Sequence, residues 1–209
     1  MEKKLEKLRR LILDMNREDA VILSLSLLEN ESITIHDLYE KVLKSALYSI
    51  DCQELDKECI WKEHVTTAIV RTIIEVSYPY LLKEKKNVVS NGKKVIVVCP
   101  SEEYHEIGAR MVHDYFSLNG FESTMIGANT PLSVILDAVE FVKPDFVAVS
   151  VTNFYNVINA KKIVQAIKEV KNDVVILAGG QAFNHKDAKD SVEFDYFLTD
   201  IGSIKELLK

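Results

Sequence analysis

The sequence predicts an α/β protein in two parts, a four-helix bundle followed by a parallel β-sheet packed between helices. Three observations carry this. Apolar residues recur at helical spacing from Glu2 to Leu82, short β-branched runs alternate with amphipathic segments further on, and a charged stretch with Asn and Gly, residues 83–94, separates the two patterns. The domains are expected at 1–86 and 92–209.

Leu5, Leu8, Leu11, Ile12 and Met15 mark the first helix. Asn16, with Asp19 three residues later, is a helix-start signal for a second, which carries Ala20, Val21, Leu23, Leu25 and Leu28. A third helix is expected from Ile35 to Ile50 on Leu38, Val42, Leu43, Ala46 and Leu47. A fourth is expected from Leu55 to Tyr78 on Cys59, Val65, Ala68, Ile69, Thr72, Ile73 and Val76. Four amphipathic helices with short connections make a bundle.

Strands are expected at VIVVC (95–99), STMIG (123–127), FVAVSV (146–151), VVILA (174–178) and, more weakly, FDYFL (194–198). Runs that are apolar throughout are buried on both faces, which requires a parallel sheet between helical layers. Ligands in such sheets sit outside the carboxyl ends of the strands.

Composition narrows the function. The chain has 209 residues, 47% hydrophobic and 28% charged, with a net charge of −6 and a pI near 5.5. Its lysines and arginines are spread along the chain, so duplex nucleic acid is disfavoured as a direct partner. Three cysteines, Cys52, Cys59 and Cys99, give no ground for a disulfide framework or a structural zinc site. The N-terminus lacks a signal-peptide core and no run approaches the roughly 20 apolar residues that cross a bilayer. A cytoplasmic protein without membrane contact is expected.

Three short motifs fall on one rim of the expected sheet. Glu103-Tyr104-His105-Glu106-Ile107-Gly108 follows the first strand, Ser150-Val151-Thr152 ends the third, and Gly179-Gly180 ends the fourth. Residues 109 through 149 make 41 positions between the first two motifs, and 153 through 178 make 26 between the second and third. Singly, each is ordinary: a loop histidine, a strand-end serine, a glycine turn. His36, His113 and His185 have no comparable setting.

Taken together, motifs and separations resemble the cobalamin-binding domain of corrinoid proteins, whose pattern is acidic-x-His-x-x-Gly, Ser-x-Leu and Gly-Gly. The resemblance implies a Rossmann-like, flavodoxin-like sheet. It also implies that His105 replaces the cofactor's own base beneath cobalt, with Glu103 behind it and Ser150 as the next link of a hydrogen-bonded relay. An imidazole suits a transition metal, and a partner on its other nitrogen fixes the tautomer. Gly108, Gly179 and Gly180 are expected to make room for the nucleotide tail, with Thr152, Gln181 and Phe183 lining its slot. Tyr104, Glu106 and Ile107 belong to the same cofactor-binding loop. The departures are Glu103 where Asp is usual and Thr152 where Leu is usual.

The stretch WKEHVTTAIVRTII resembles the last helix of the cap that covers the corrin in this family. That implies Glu63 and His64 facing the upper ligand. Trp61 shares their helical face by its spacing to His64 and Val65, and packing in the bundle core is the other reading of it. The loop around His105 and the Asn129-Thr130-Pro131 segment look more like CarH-type light-responsive regulators than methyl carriers. The resemblance covers the cap and sensor parts of those regulators, without their DNA-binding domain. Gln53 and Glu54 stand where those photoreceptors carry Trp-His.

A regulatory module holding adenosyl- or methylcobalamin and acting through cap or interface changes is therefore expected, as a homo-oligomer or with a protein partner and without catalysis of its own. The alternative is a corrinoid carrier of a methyltransferase system. A phosphate-binding flavodoxin-like module is disfavoured because the chain lacks a GxGxxG or P-loop.

Overall fold

The computed structural model describes residues 1–50, 56–200 and 202–204. Gln53 and Glu54 lie outside the described residues. The chain forms two compact units, Met1–Asn87 and Val88–Lys209.

The first unit contains α1 (Glu2–Leu13), α2 (Arg17–Glu29), α3 (Ile35–Asp37), α4 (Lys44–Tyr48) and α5 (Lys57–Lys85). A π-helical stretch, Leu38–Leu43, joins α3 to α4, so the expected third helix is one continuous rod with a widened middle. Side chains start the helices: Asn16 Oδ1 accepts from the Asp19 N–H at 3.4 Å, Thr34 and Asp37 form a reciprocal capping box, and Asp56 Oδ1 accepts from the Cys59 N–H at 3.0 Å. Leu8, Ile12, Leu38, Val42, Leu43, Ile69 and Ile73 form the core. Cys59 is disulfide-bonded, a bridge that the odd cysteine count did not indicate.

The last helix does not stop at Tyr78 as expected. It passes through Pro79 to Lys85. Proline removes one N–H from the ladder, but Pro79 lies on the exposed face while Ile73, Ile74, Ser77 and Leu81 stay buried on both sides of it. Continued burial of that face outweighs the lost bond.

The second unit holds a five-stranded parallel sheet: β1 (Lys94–Pro100), β2 (Glu122–Thr130), β3 (Phe146–Ser150), β4 (Val175–Gly179) and β5 (Tyr196–Phe197), in the order β2-β1-β3-β4-β5. The intervening helices are α6 (Ile107–Leu118), α7 (Leu132–Val142), α8 (Val157–Val170) and α9 (Lys186–Ser191). Ile96, Val98, Val147, Val149 and Ile176 pack with Ile135, Val139, Ile163 and Val164 in the main core. Phe116, Phe121 and Phe146 stack edge to face, with centroids 5.0 and 5.7 Å apart. β2 runs three residues past the expected Gly127, with register irregularities against β1 between Val97 and Val98 and between Val98 and Pro100. That extension brings Asn129 beside the loop after β1.

The strand order determines where a ligand fits. From β1 the chain moves outward to β2 and then returns to β3 on the other side, so the loops after β1 and β3 face each other at the carboxyl end of the sheet. This is the topological switch point of a doubly wound sheet, where a crevice opens.

Candidate functional site

The loop from Ser101 to Glu106 lies at that crevice. Its backbone is held from three other elements: Asn129 Oδ1 accepts from the Glu102 N–H at 2.8 Å, Asn156 Nδ2 donates to the Glu102 carbonyl at 3.1 Å, and Asn159 Nδ2 donates to the Ser101 carbonyl at 3.0 Å. Glu102 has φ 68°, a left-handed backbone that non-glycine residues rarely adopt, and Asn129 has φ 50°. The turn this makes drives the next side chain, Glu103, inward.

Glu103 is fully buried. Its Oε1 accepts from the His105 N–H at 3.1 Å and lies 2.5 Å from His105 Nδ1. Its Oε2 accepts from the N–H groups of Thr152 and Asn153, each at 2.9 Å, and from Asn156 Nδ2 at 3.2 Å. Burial raises the carboxyl pKa, but the bonds from the His105 ring, the Asn153 and His105 N–H groups and the Asn156 amide together hold it at about 2. A charged carboxylate therefore faces Nδ1, which favours the tautomer with the proton on Nδ1 and the lone pair on Nε2. The His105 side chain is 51% exposed.

The remaining residues of the motif divide by role. Glu106 precedes α6 and its Oε2 accepts from the Ala128 N–H at 3.2 Å, tying the helix start to β2. Ile107 is a core residue, whereas Tyr104 stands exposed on the rim. A Cβ built on Gly108 would meet nothing within 4 Å. The fold therefore does not need glycine there, and the residue leaves open space at the helix start.

Ser150 does not join the relay expected of it. None of the hydrogen bonds described for Glu103 comes from Ser150. The buried Cys99 thiol is pushed up to about 12 by burial first, and then by the Glu103 and Glu106 charges. Glutamate is one methylene longer than the aspartate usual in the family, and its carboxylate reaches past Ser150 to the loop that follows.

The glycines also differ from expectation. Gly180 has φ +101° and a Cβ there would lie 2.2 Å from the Val151 carbonyl oxygen, so the close approach of backbone to backbone requires glycine in this turn. Gly179, opposite Ser150 in the ladder, meets only ordinary contacts at 3.9 Å. Gln181 is exposed. Phe183 is wholly buried, with ring centroids 6.0 Å from Phe194 and 6.4 Å from Phe197, so it serves the core and not the lining of a slot. Asn129, Asn153 and Asn156 were missed by sequence reasoning, because an asparagine at a strand end or helix start reads as a turn or cap.

In the first unit Trp61 is 48% exposed, which places it outside the bundle core. Glu63 Oε1 accepts from the Thr67 hydroxyl at 2.9 Å, and Glu63 Oε2 lies 3.2 Å from Nδ1 of the exposed His64. Trp61, His64 and Val65 share one exposed stripe of α5.

Among the described residues no group of three or more His, Cys, Asp or Glu is placed to hold a metal ion. A single aimed imidazole fits a metal that brings its other ligands with it. The lone pair on Nε2, the carboxylate behind Nδ1 and the open space at Gly108 would suit such a group.

Residues 93–200 match the B12 binding domain family. The chain belongs to this family. Among curated proteins, the HTH-type transcriptional repressor CarA of Myxococcus xanthus is 30% identical over 89 residues, 43% of this chain and 29% of that protein. The chain thus spans less than a third of CarA. Trimethylamine corrinoid protein 2 of Methanosarcina mazei is 24% identical over 165 residues, covering 77% of this chain and 74% of that one. Among solved structures, the monomethylamine corrinoid protein of Methanosarcina barkeri is similar in fold, with a TM-score of 0.79, 18% identity and coverage of 99% and 97% of the two chains. The Rossmann-like sheet of this B12-binding protein and the helical region before it are therefore shared with a corrinoid protein. No helix among the described residues is long and apolar enough to cross a membrane.

Proposed function

We propose that the chain holds cobalamin, with His105 Nε2 as the residue that would ligate its cobalt in place of the cofactor's own base. The carrying observation is the Glu103–His105 pair, a buried charged carboxylate at 2.5 Å from Nδ1 of a half-exposed ring. Second-shell carboxylates of this kind orient a ligating imidazole and raise its donor strength. Cobalamin, when bound, would supply a cobalt able to take up and release a carbon group. The protein would supply position: Glu103 orients the ring, the open space at Gly108 admits the tail, and Asn129 and Asn156 fix the turn at Glu102.

Gel filtration after reconstitution with hydroxocobalamin tests this. Wild type is expected to retain the corrinoid with the spectrum of a displaced base and a bound imidazole, and His105→Ala to lose the imidazole bands. Unchanged bands in His105→Ala would overturn the assignment.

Each of two uses has support of its own. Carriage of a methyl group between partner enzymes is supported by the match over 77% of this chain to trimethylamine corrinoid protein 2 and by the fold shared with the monomethylamine corrinoid protein. A regulatory module, light-responsive or otherwise, is supported by the segment 30% identical to CarA and by the exposed Trp61, His64 and Val65 stripe. Methyl uptake by the Co(I) form from a methyltransferase supports carriage. A change of oligomeric size on illumination with adenosylcobalamin bound supports regulation.

A further inference from the structure

A carboxylate that aims an imidazole is only as fixed as the groups holding its other oxygen. For Glu103 Oε2 these are two backbone N–H groups and one side chain, Asn156. Asn156 precedes α8, is 5% exposed, and divides its amide hydrogens between Glu103 Oε2 at 3.2 Å and the Glu102 carbonyl at 3.1 Å. One amide therefore holds both the carboxylate and the left-handed turn that delivers it. Ser150, which would fill this place by resemblance, supplies none of the hydrogen bonds described for Glu103.

We infer that Asn156 is a positioning residue for His105. It acts through Glu103 to fix the direction of the imidazole towards cobalt, in the place expected of the serine. The inference rests on the cobalamin reading above. Asn156 does not touch the His105 ring, and its neighbour Asn159 supplies a control: it braces the same loop at the Ser101 carbonyl without reaching the carboxylate.

The test uses the full chain loaded with hydroxocobalamin and reduced to Co(II), whose electron paramagnetic resonance spectrum shows nitrogen splitting only when an axial nitrogen is bound. Asn156→Ala removes the amide, and Asn156→Asp keeps its shape but replaces the donor with a second carboxylate. Both are expected to retain corrinoid and to lose the splitting in most of the bound cofactor, while wild type and Asn159→Ala keep it. Wild-type splitting in both Asn156 variants, or equal loss in Asn159→Ala, would overturn the inference. Should both Asn156 variants fail to fold, Ser150→Ala decides, since persistence of its splitting supports Asn156 and its loss returns the role to the serine. Absence of splitting in wild type would instead overturn the His105 assignment itself.

Discussion

Glu103 ties the chemistry of the rim to the stability of the fold. Its carboxyl is held at about 2, below the ordinary 4.5, so its stabilising contribution is complete above the ordinary value and is lost as pH falls towards the depressed one. Glu103→Gln is expected to be less stable than wild type at neutral pH, with a gap that narrows as pH falls from 4.5 towards about 2. Urea unfolding across that range checks it, and a constant gap would mean that charge is not what stabilises the site. The glycines give a second contrast at this scale. Gly180→Ala meets the Val151 carbonyl at 2.2 Å with a left-handed backbone and should cost about 3 kcal/mol or more. Gly108→Ala meets nothing, so it should stabilise the cofactor-free chain by about 0.5–1 kcal/mol while weakening cobalamin binding, read by thermal melts and titration. His105, Glu103 and Gly108 were legible in the sequence because their types and spacing belong to one local motif. Asn156 was not, since its role depends on contacts made across about fifty residues, which only the fold creates.

Among the elements, β1, β3 and β4 were legible because uninterrupted β-branched runs are read the same way by any buried strand. The end of β2 was not, because Ala128-Asn129-Thr130 has weak strand preference and is paired only because Pro100 lies beside Thr130. The π-helical middle of the third rod leaves no compositional mark, and Pro79 gave a stop signal that burial overrode. The course of α5 carries its own prediction. Ser77 has a buried hydroxyl without a hydrogen-bond partner, and Pro79 interrupts the ladder one turn from Leu82 on the exposed side. Ser77→Ala should stabilise by about 1 kcal/mol by removing an unsatisfied polar group. Pro79→Ala should stabilise by a similar or greater amount, up to about 3 kcal/mol, by restoring a helical N–H. Higher denaturation midpoints in both are the expected result; a lower one in Pro79→Ala would mean that the helix needs the bend proline imposes.

At the scale of the molecule, the strand order explains why so few residues define the site. Because the chain leaves β1 for β2 and returns to β3, the loops after β1 and β3 face each other across one crevice, and residues 101–106 meet residues 152–159 there. The hydrogen bonds described for Glu103 all come from Val88–Lys209, a unit with its own apolar core. The proposed coordination by His105 should therefore not depend on the helical unit. A fragment of residues 88–209 is expected to fold, to take up hydroxocobalamin, and to give the same imidazole coordination in its Co(II) spectrum as the whole chain. At a hundredfold excess of cofactor over its Kd, binding should stabilise that fragment by about 2.7 kcal/mol, a rise measurable in its melting temperature. If the fragment folds and binds but shows no axial nitrogen, the bonds within this unit do not suffice to aim His105.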